Sequence, residues 1–595
     1  MKIQPLKESS SWDTHLGGFA RFSCPFVVSV VFKTGMRLQI HMVILAAVWI
    51  RKSLSSTPEC PIKAPATVSR SDPWYDKKPF VDGGKTFVGG EVNLWNGKKV
   101  DVTSPINDEV TQAPAVIGTM AQMSESDALA AVETAKDAWA GGQGTWPQMS
   151  AAERIAALER VIDSLLERRE EIVNILIWEI CKNVADAEAE FDRTITFTRA
   201  MIEAFKEDAS KTGWRTVSGV LAKVRRAAIG IVMCLGPFNY PINETYATLL
   251  PALLSGNIVI LKVPTLGGLA HILTIEAFQK HLPPGTLNFV SGSGRSTMAP
   301  MMRTGDIDVL AFIGGSKAAD AIIKEHPHPH RLKIFLQLEG KNPGVVLSDA
   351  DLDVAAEQVT LGATSYNGQR CTAIKIVFVH SSVAPQFLEK LSQRVSALRV
   401  GLPWDPSVKI TPLPEPAKPK MIQEWIADAV SKGASVYNGV ESGGMGGTQE
   451  GALCHPAIMY PVNSSMRLWH EEQFGPVIPV ATFDDLSEVV DYVATSPYGQ
   501  QAAIFTTNTH SGSEASVLTD VLSTIVGRIN INTQCARSPD VFPFSGRRSS
   551  ALGTMSMRDT ITLFSTETVV ATKASEDNEA LTRGLDTSTR FLAKL

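Results

Sequence analysis

The 595-residue sequence has no Cys-x-x-Cys pair and no Cys/His spacing of the zinc-binding kind; its cysteines, at 24, 60, 181, 234, 371, 454 and 535, lie scattered. This excludes a disulfide framework and points to a reducing compartment, the cytoplasm first. Long apolar runs are missing too: those at 26–32 and 42–50 reach about half, or less, of the roughly 18–20 residues that span a bilayer. Basic charge is not in excess, the net charge being -5, so any anion site must be local and nucleic acid is not an expected partner. No complete Gly-x-Gly-x-x-Gly occurs, since Gly292-Ser293-Gly294 lacks its third glycine. There is no internal repeat. Acidic residues are absent from 14 to 58, where Arg21, Lys33, Arg37, Arg51 and Lys52 punctuate the apolar runs. That stretch reads as a targeting presequence, which would imply an organelle, or as an N-terminal extension ahead of Met36 or Met42. The most ligand-like cluster, Glu325-His326-Pro327-His328-Pro329-His330, alternates with prolines and is expected as an extended surface loop, with no metal.

What is present is an ordinary globular composition, 44% hydrophobic and 20% charged, with material for a large core. Short segments punctuated by Gly and Pro fill 71–150. Ser150 and Glu153 then form a capping box, and Ile155, Leu158, Ile162 and Leu165 share one helix face. A second helix is expected over about 185–207; it carries Arg193, in isolation a solvated charge. Apolar runs at 229–235, 257–263, 287–290, 309–313 and 334–338, separated by helical spacers such as 269–280, predict a parallel, doubly wound α/β sheet. Such sheets bind ligands at the carboxyl ends of their strands. Strands at 374–380, 477–483 and 525–531 with helices at 384–398 and 421–432 make a second α/β domain. Beyond 572 the tail is polar, without a period, and expected to be frayed.

Chemistry-bearing motifs sit at the strand ends. Gly236-Pro237-Phe238-Asn239-Tyr240-Pro241 is a rigid turn able to aim an amide at a reacting oxygen. A strand ends in Lys262 with Thr265 nearby, a cation and a hydroxyl suited to a phosphate or ribose, and Gly314-Gly315-Ser316 opens a helix whose free N–H groups suit a pyrophosphate. Ser365-Tyr366-Asn367-Gly368-Gln369-Arg370-Cys371 presents one cysteine before an apolar strand. Alone, Cys371 reads as a buried thiol and each turn as structural.

Together with Glu471-Glu472-Gln473-Phe474-Gly475-Pro476 and Pro543-Phe544-Ser545-Gly546, these motifs, in this order, resemble the aldehyde dehydrogenase superfamily from about residue 90 to 572. Within it the chain is most similar to the NADP-dependent, non-phosphorylating glyceraldehyde-3-phosphate dehydrogenases, through Phe238 to Pro241, Ser365 to Cys371 and Arg537-Ser538-Pro539-Asp540-Val541-Phe542-Pro543-Phe544. The resemblance implies Cys371 as nucleophile, Asn239 as oxyanion-hole amide, Lys262 as ribose ligand, and Glu472 with Phe474 as nicotinamide-ribose contacts. It also implies Arg193, Tyr240, Arg370 and Arg537 as ligands of the substrate phosphate, with Arg370 a further aid to the thiolate. The family often carries Glu three residues after the lysine; Thr265 stands there and accepts a 2′-phosphate without repulsion, so NADP is the expected cofactor. Implied, too, are a homotetramer or dimer and a division into an extension (1–70), a cofactor domain (71–336) with an oligomerisation hairpin near 211–227, a catalytic domain (337–555), an oligomerisation strand (556–572) and a tail (573–595).

One departure concerns the general base. The family's Glu-Leu-Gly-Gly-Lys is here Gln337-Leu338-Glu339-Gly340-Lys341, and glutamine takes no proton. Glu339, two residues on in extended chain, faces the same way and is the candidate base. Otherwise Glu339 supports Lys341, and deacylation uses another route or is slow. Two rival readings are an aldehyde dehydrogenase for another acidic aldehyde, such as a semialdehyde, and a pseudoenzyme that keeps only the fold.

Overall fold

Five parallel strands, Ile231–Leu235, Ile258–Lys262, Leu287–Val290, Val309–Ile313 and Lys333–Gln337, form the centre of an eight-stranded sheet in the computed structural model, which describes residues 66–592. The N-terminal stretch read as a presequence or extension lies outside the described residues. The first four of these strands are buried throughout, which is why each reads as an unbroken apolar run. Ile231–Leu235 pairs with Val309–Ile313 on one side and Ile258–Lys262 on the other, so the chain order reverses about it. The carboxyl ends at such a reversal are where open α/β sheets hold ligands. The Asn239 turn, Lys262 and Gly314-Gly315 all lie there.

A second, seven-stranded sheet is parallel except for the edge strand Ser435–Val436 and contains Asn342–Val346, Ile374–His380, Val477–Phe483 and Gln501–Phe505. The Cys371 loop precedes Ile374–His380, so it enters the second sheet at its amino end. Carboxyl ends of one sheet and this loop border a common cavity. Late in the chain, Ala551–Leu552 returns to pair antiparallel with Leu336 and Gln337, and Phe544, Met555, Ile561 and Phe564 complete the first core.

Val220–Ala228 lies between Arg215–Val217 and Ser565–Lys573 in a three-stranded antiparallel sheet. Ser565–Lys573 is mostly exposed, Val569 at 59%, and among the described residues nothing pairs with its outer edge. An exposed edge of this length is a template for pairing with another chain.

Four expectations need correction. The tail is not frayed throughout: Glu576–Ser588 is a helix, capped by Ser575 and tied down where Asp586 accepts from Trp214 Nε1 and Lys223 Nζ. Its only buried helical residue is Thr582, so no apolar stripe announced it. The segment before Ser150 contains the helix Glu125–Trp139, opened by a Ser124/Asp127 capping box; its buried face is Ala128, Ala131, Val132 and Ala135, too small-sided to stand out. The spacer expected over 269–280 is two short helices, Leu269–Ile272 and Ile275–His281. His326 is buried, a ring nitrogen 3.1 Å from the Ile307 carbonyl oxygen, so the His-Pro segment is not wholly surface. Among the described residues no helix is long and apolar enough to cross a membrane, and no group of three His, Cys, Asp or Glu side chains is placed to hold a metal.

Candidate active site

The loop that presents Cys371 is held in a conformation most residues avoid. Tyr366, Asn367 and Gly368 have φ of 48°, 57° and 71° in succession. Asparagine tolerates this region, and a Cβ on Gly368 would stand 2.6 Å from the Ala363 carbonyl oxygen and 2.7 Å from that of Gly475. Tertiary bonds hold the strained turn: Asn367 Nδ2 donates to Thr411 O at 3.0 Å, Thr411 N–H returns to Asn367 Oδ1 at 2.9 Å, and Tyr366 OH donates to Ile180 O at 3.0 Å. The carbonyl of Cys371 accepts from Lys375 Nζ and Asn342 Nδ2, each at 2.8 Å. Cys371 itself is partly exposed and lines a cavity of about 670 Å³. Burial, aided by the negative charge of Glu244, pushes its thiol up to about 11, with Lys375 pulling the other way. In this state the thiol keeps its proton at neutral pH.

Asn239 reaches the same cavity, its Nδ2 donating to Gln369 O at 2.8 Å, so one amide hydrogen is spent on the nucleophile loop and the other remains for a substrate oxygen. A fully buried Lys182–Glu190 ion pair holds this turn. Glu190 Oε1 accepts from Ile242 N (3.0 Å) and Asn243 N (3.2 Å), the first turn of helix Pro241–Leu254, while Lys182 Nζ lies 3.3 Å from the Tyr240 ring centroid. Burial lowers the lysine and raises the glutamate, and the pairing opposes both shifts. Charge thus fixes the residues that follow Asn239.

Arg193, Tyr240, Arg370 and Arg537 all line the cavity, but the arginines are not open forks. Arg193 donates twice to Asp540, at 2.7 and 3.2 Å. Arg537 pairs with Glu244 at 2.6 Å and with Asp540 at 3.2 Å. Arg370 Nη2 points to the carbonyls of Leu361 and Gly362 at the end of helix Leu352–Thr364, at 3.3 and 3.0 Å, which corrects its expected role as an aid to the thiolate. The two paired arginines carry no net charge with their two carboxylates.

On the cofactor side, Glu472 pairs with Lys375 at 2.8 Å and accepts from Gly340 N at 3.2 Å, while Phe474 packs edge-on against Phe238. Lys262 is buried, its Nζ on Val263 O at 2.7 Å; burial alone pushes it down to about 8. Thr265 is exposed and lines a second cavity, of about 920 Å³, which shares Phe238 and Glu415 with the first. Glu339 lines the Cys371 cavity beside Gly314 and Gly315, yet both its oxygens accept from Ser316 N, at 2.8 and 2.9 Å, capping helix Ser316–Lys324. Gln337 is buried on the cavity wall, and neither its Oε1 nor its Nε2 has a hydrogen-bond partner among the described residues.

Sequence reasoning overlooked Glu244, Asp540, Lys375, Lys182 and Glu190. Two of these carried a signal: Glu244 lies one helical turn beyond Tyr240, and Lys375 one strand pleat beyond the nucleophile loop. The Lys182–Glu190 pair is hidden by burial, and Asp540, although three residues after Arg537, makes its closer contact with Arg193, remote in sequence.

With this geometry in view, the chain matches the Aldehyde dehydrogenase family over residues 95–570. It is 32% identical over 493 residues to the NADP-dependent glyceraldehyde-3-phosphate dehydrogenase of Streptococcus equinus, covering 81% of this chain and 97% of that protein. It is 28% identical to the 3-sulfolactaldehyde dehydrogenase of Priestia aryabhattai, over 78% of this chain and 93% of the relative. The crystal structure of NADP-dependent glyceraldehyde-3-phosphate dehydrogenase from Bacillus halodurans C-125 complexed with NADP superposes with a TM-score of 0.74 at 31% identity, covering 83% of this chain and all of that one. A match over most of the chain, with the fold and the cysteine–asparagine cavity that go with it, means that this protein belongs to the aldehyde dehydrogenase family.

Proposed function

We propose that the chain oxidises D-glyceraldehyde 3-phosphate to 3-phosphoglycerate with NADP and water, through a Cys371 thioester and without consuming inorganic phosphate. The observation that carries this reading is the convergence of Arg193, Tyr240, Arg370 and Arg537 on the cavity that holds Cys371 and Asn239. Once ionised, Cys371 Sγ adds to the aldehyde carbon, and the oxyanion is held by the free Asn239 amide hydrogen and the Cys371 N–H. NADP, when bound, accepts the hydride. Lys262, Thr265, Gly314, Gly315, Glu472 and Phe474 are the residues proposed to hold it. Their chemistry fits a phosphorylated dinucleotide: the Ser316 N–H donates to an anionic group, the Glu339 carboxylate, Lys262 Nζ donates to the Val263 carbonyl and is not held by a carboxylate among the described residues, and no acid stands at 265 to repel a 2′-phosphate.

A second reading rests on the pairing of Arg193 and Arg537 with Asp540 and Glu244, which suits a singly charged substrate. Under it the substrate is a sulfonated or carboxylated aldehyde, in line with the 3-sulfolactaldehyde relative. The test follows NADPH absorbance with glyceraldehyde 3-phosphate, 3-sulfolactaldehyde and succinate semialdehyde, each with NADP or NAD, in wild type and Cys371→Ala. The first reading predicts the highest kcat/KM for the phosphorylated aldehyde with NADP, no dependence on added phosphate, and no turnover by the alanine variant. Preference for NAD, or for another aldehyde, refutes the corresponding part.

A further inference from the structure

The step after oxidation leaves an acyl group on Cys371, and water attacks it only if some group takes the water's proton. The carboxylates that line the cavity are each engaged elsewhere. Glu244 lies on Arg537 at 2.6 Å, Glu415 is 3.3 Å from Lys418, Glu471 pairs with Arg467 at 2.7 Å, and Glu472 pairs with Lys375 at 2.8 Å. Glu339, the expected base, spends both oxygens on the Ser316 amide. Gln337 is buried, lines the same cavity and has both amide atoms without a hydrogen-bond partner among the described residues, and an amide accepts no proton at neutral pH.

We infer that the Cys371 acyl-enzyme is long-lived, and that its acyl group passes to a small thiol faster than to water. This inference rests on the covalent aldehyde oxidation proposed above. A thiol ionises far more readily than water, a cysteine thiol with a pKa of about 8.5, so its thiolate fraction brings its own nucleophile and needs no base from the cavity. The incoming thiolate sulfur bonds to the acyl carbon, the carbon–Sγ bond of Cys371 breaks, and the proton shed by the incoming thiol ends on Cys371. No atom changes oxidation state in this step, since one carbon–sulfur bond replaces another and the hydride has already gone. The free products are an acyl thioester and an enzyme ready for another aldehyde. The cavity's size, about 670 Å³, leaves room for an acceptor beside the acyl group.

The experiment uses the full-length enzyme, the aldehyde that gives the highest turnover, and 2-mercaptoethanol or coenzyme A as the thiol. The enzyme is mixed with aldehyde and NADP, desalted within seconds, and weighed intact by mass spectrometry. The expected result is about one acyl group per chain, absent in Cys371→Ala and removed by the thiol with release of the corresponding acyl thioester. NADPH production should show a burst and a slow steady state that either thiol accelerates several-fold. Gln337→Glu should abolish both adduct and thiol stimulation and raise steady-state turnover at least ~10-fold, a floor set below the 10²–10⁴ that a fully placed general base supplies. If Gln337→Glu does not fold, the wild-type adduct and its response to thiol decide alone. Steady wild-type turnover with no adduct and no thiol effect overturns the inference and returns the base role to Glu339. An adduct that thiol does not clear removes the thiol as acceptor. No burst and no turnover with any aldehyde refutes the underlying oxidation instead.

Discussion

Glu244→Gln tests how charge is arranged around the nucleophile, because one substitution has two separable consequences. The carboxylate contacts Arg537 at 2.6 Å, both side chains being largely buried, at 15% and 6% exposure. It is also the leading charge that disfavours the Cys371 thiolate. Glutamine keeps the shape and an oxygen for Arg537 but removes the charge, so the Arg193–Arg537–Asp540 group goes from balanced to one net positive. A unit charge about 6 Å from a ligand, at an effective dielectric constant of about 20, is worth roughly 2–3 kcal/mol. Allowing for screening by Arg537, about 1–2 kcal/mol remains, or roughly 5- to 30-fold in KM for a phosphorylated aldehyde. An uncharged aldehyde should show no such change. Removing a negative charge also favours the thiolate, so iodoacetamide at pH 8, without substrate, should alkylate Cys371 about 3- to 10-fold faster than in wild type. Equal KM for the phosphorylated aldehyde together with unchanged alkylation would refute the placement of Glu244 beside both Arg537 and Cys371.

Asn239→Ala should lower kcat by about 10²–10³ with little change in KM, the mark of a donor used in the transition state, and steady-state kinetics will show whether the loss falls on KM instead. Glu190→Gln leaves the Lys182 ammonium buried without its counter-ion and should cost about 3–5 kcal/mol in denaturant unfolding, much of it recovered by adding Lys182→Met; a cost under about 1 kcal/mol would show that the pair does not hold the Asn239 turn. Lys262 has a folded pKa of about 8 against an ordinary 10.5. Between those values the unfolded chain binds more protons, so stability rises with pH across that window, whereas affinity for NADP should fall as pH rises through about 8. Lys262→Arg stays charged and should flatten the affinity curve in titration calorimetry; an equally steep fall in that variant would sink the assignment.

Much of the frame was legible because its physics is local. Leu287–Val290, Val309–Ile313, Ile374–His380 and Val477–Phe483 stand as predicted, since strands buried on both faces write themselves as apolar runs. The Ser150/Glu153 capping box opens Ala151–Glu167 as expected for the same reason, both partners lying within one turn. The Cys371 loop and the Asn239 turn were visible as motifs. Their electrical surroundings were not: Arg537 meets Glu244 across 293 positions and Arg193 meets Asp540 across 347, and no window of sequence holds both members. Arg370, adjacent to the nucleophile in sequence, turns away toward helix-end carbonyls, because neighbours along a chain need not share a direction. Glu339 shows the same limit: its parity with Gln337 was readable, but the competing helix N-terminus at Ser316 becomes visible only when the sheet is assembled.

The pairing of Ala551–Leu552 with Leu336 and Gln337 has a mechanical consequence. The chain passes from one body to the other at Leu338–Glu339 and comes back near Phe544, and both crossings border the cavity. Both crossings are anchored to the same strand, Lys333–Gln337, one by direct continuation and the other through the Ala551–Leu552 ladder. The return strand thus buttresses the strand whose last residue, Gln337, forms part of the cavity wall, so a change at Ala551 or Leu552 reaches that wall through the backbone ladder.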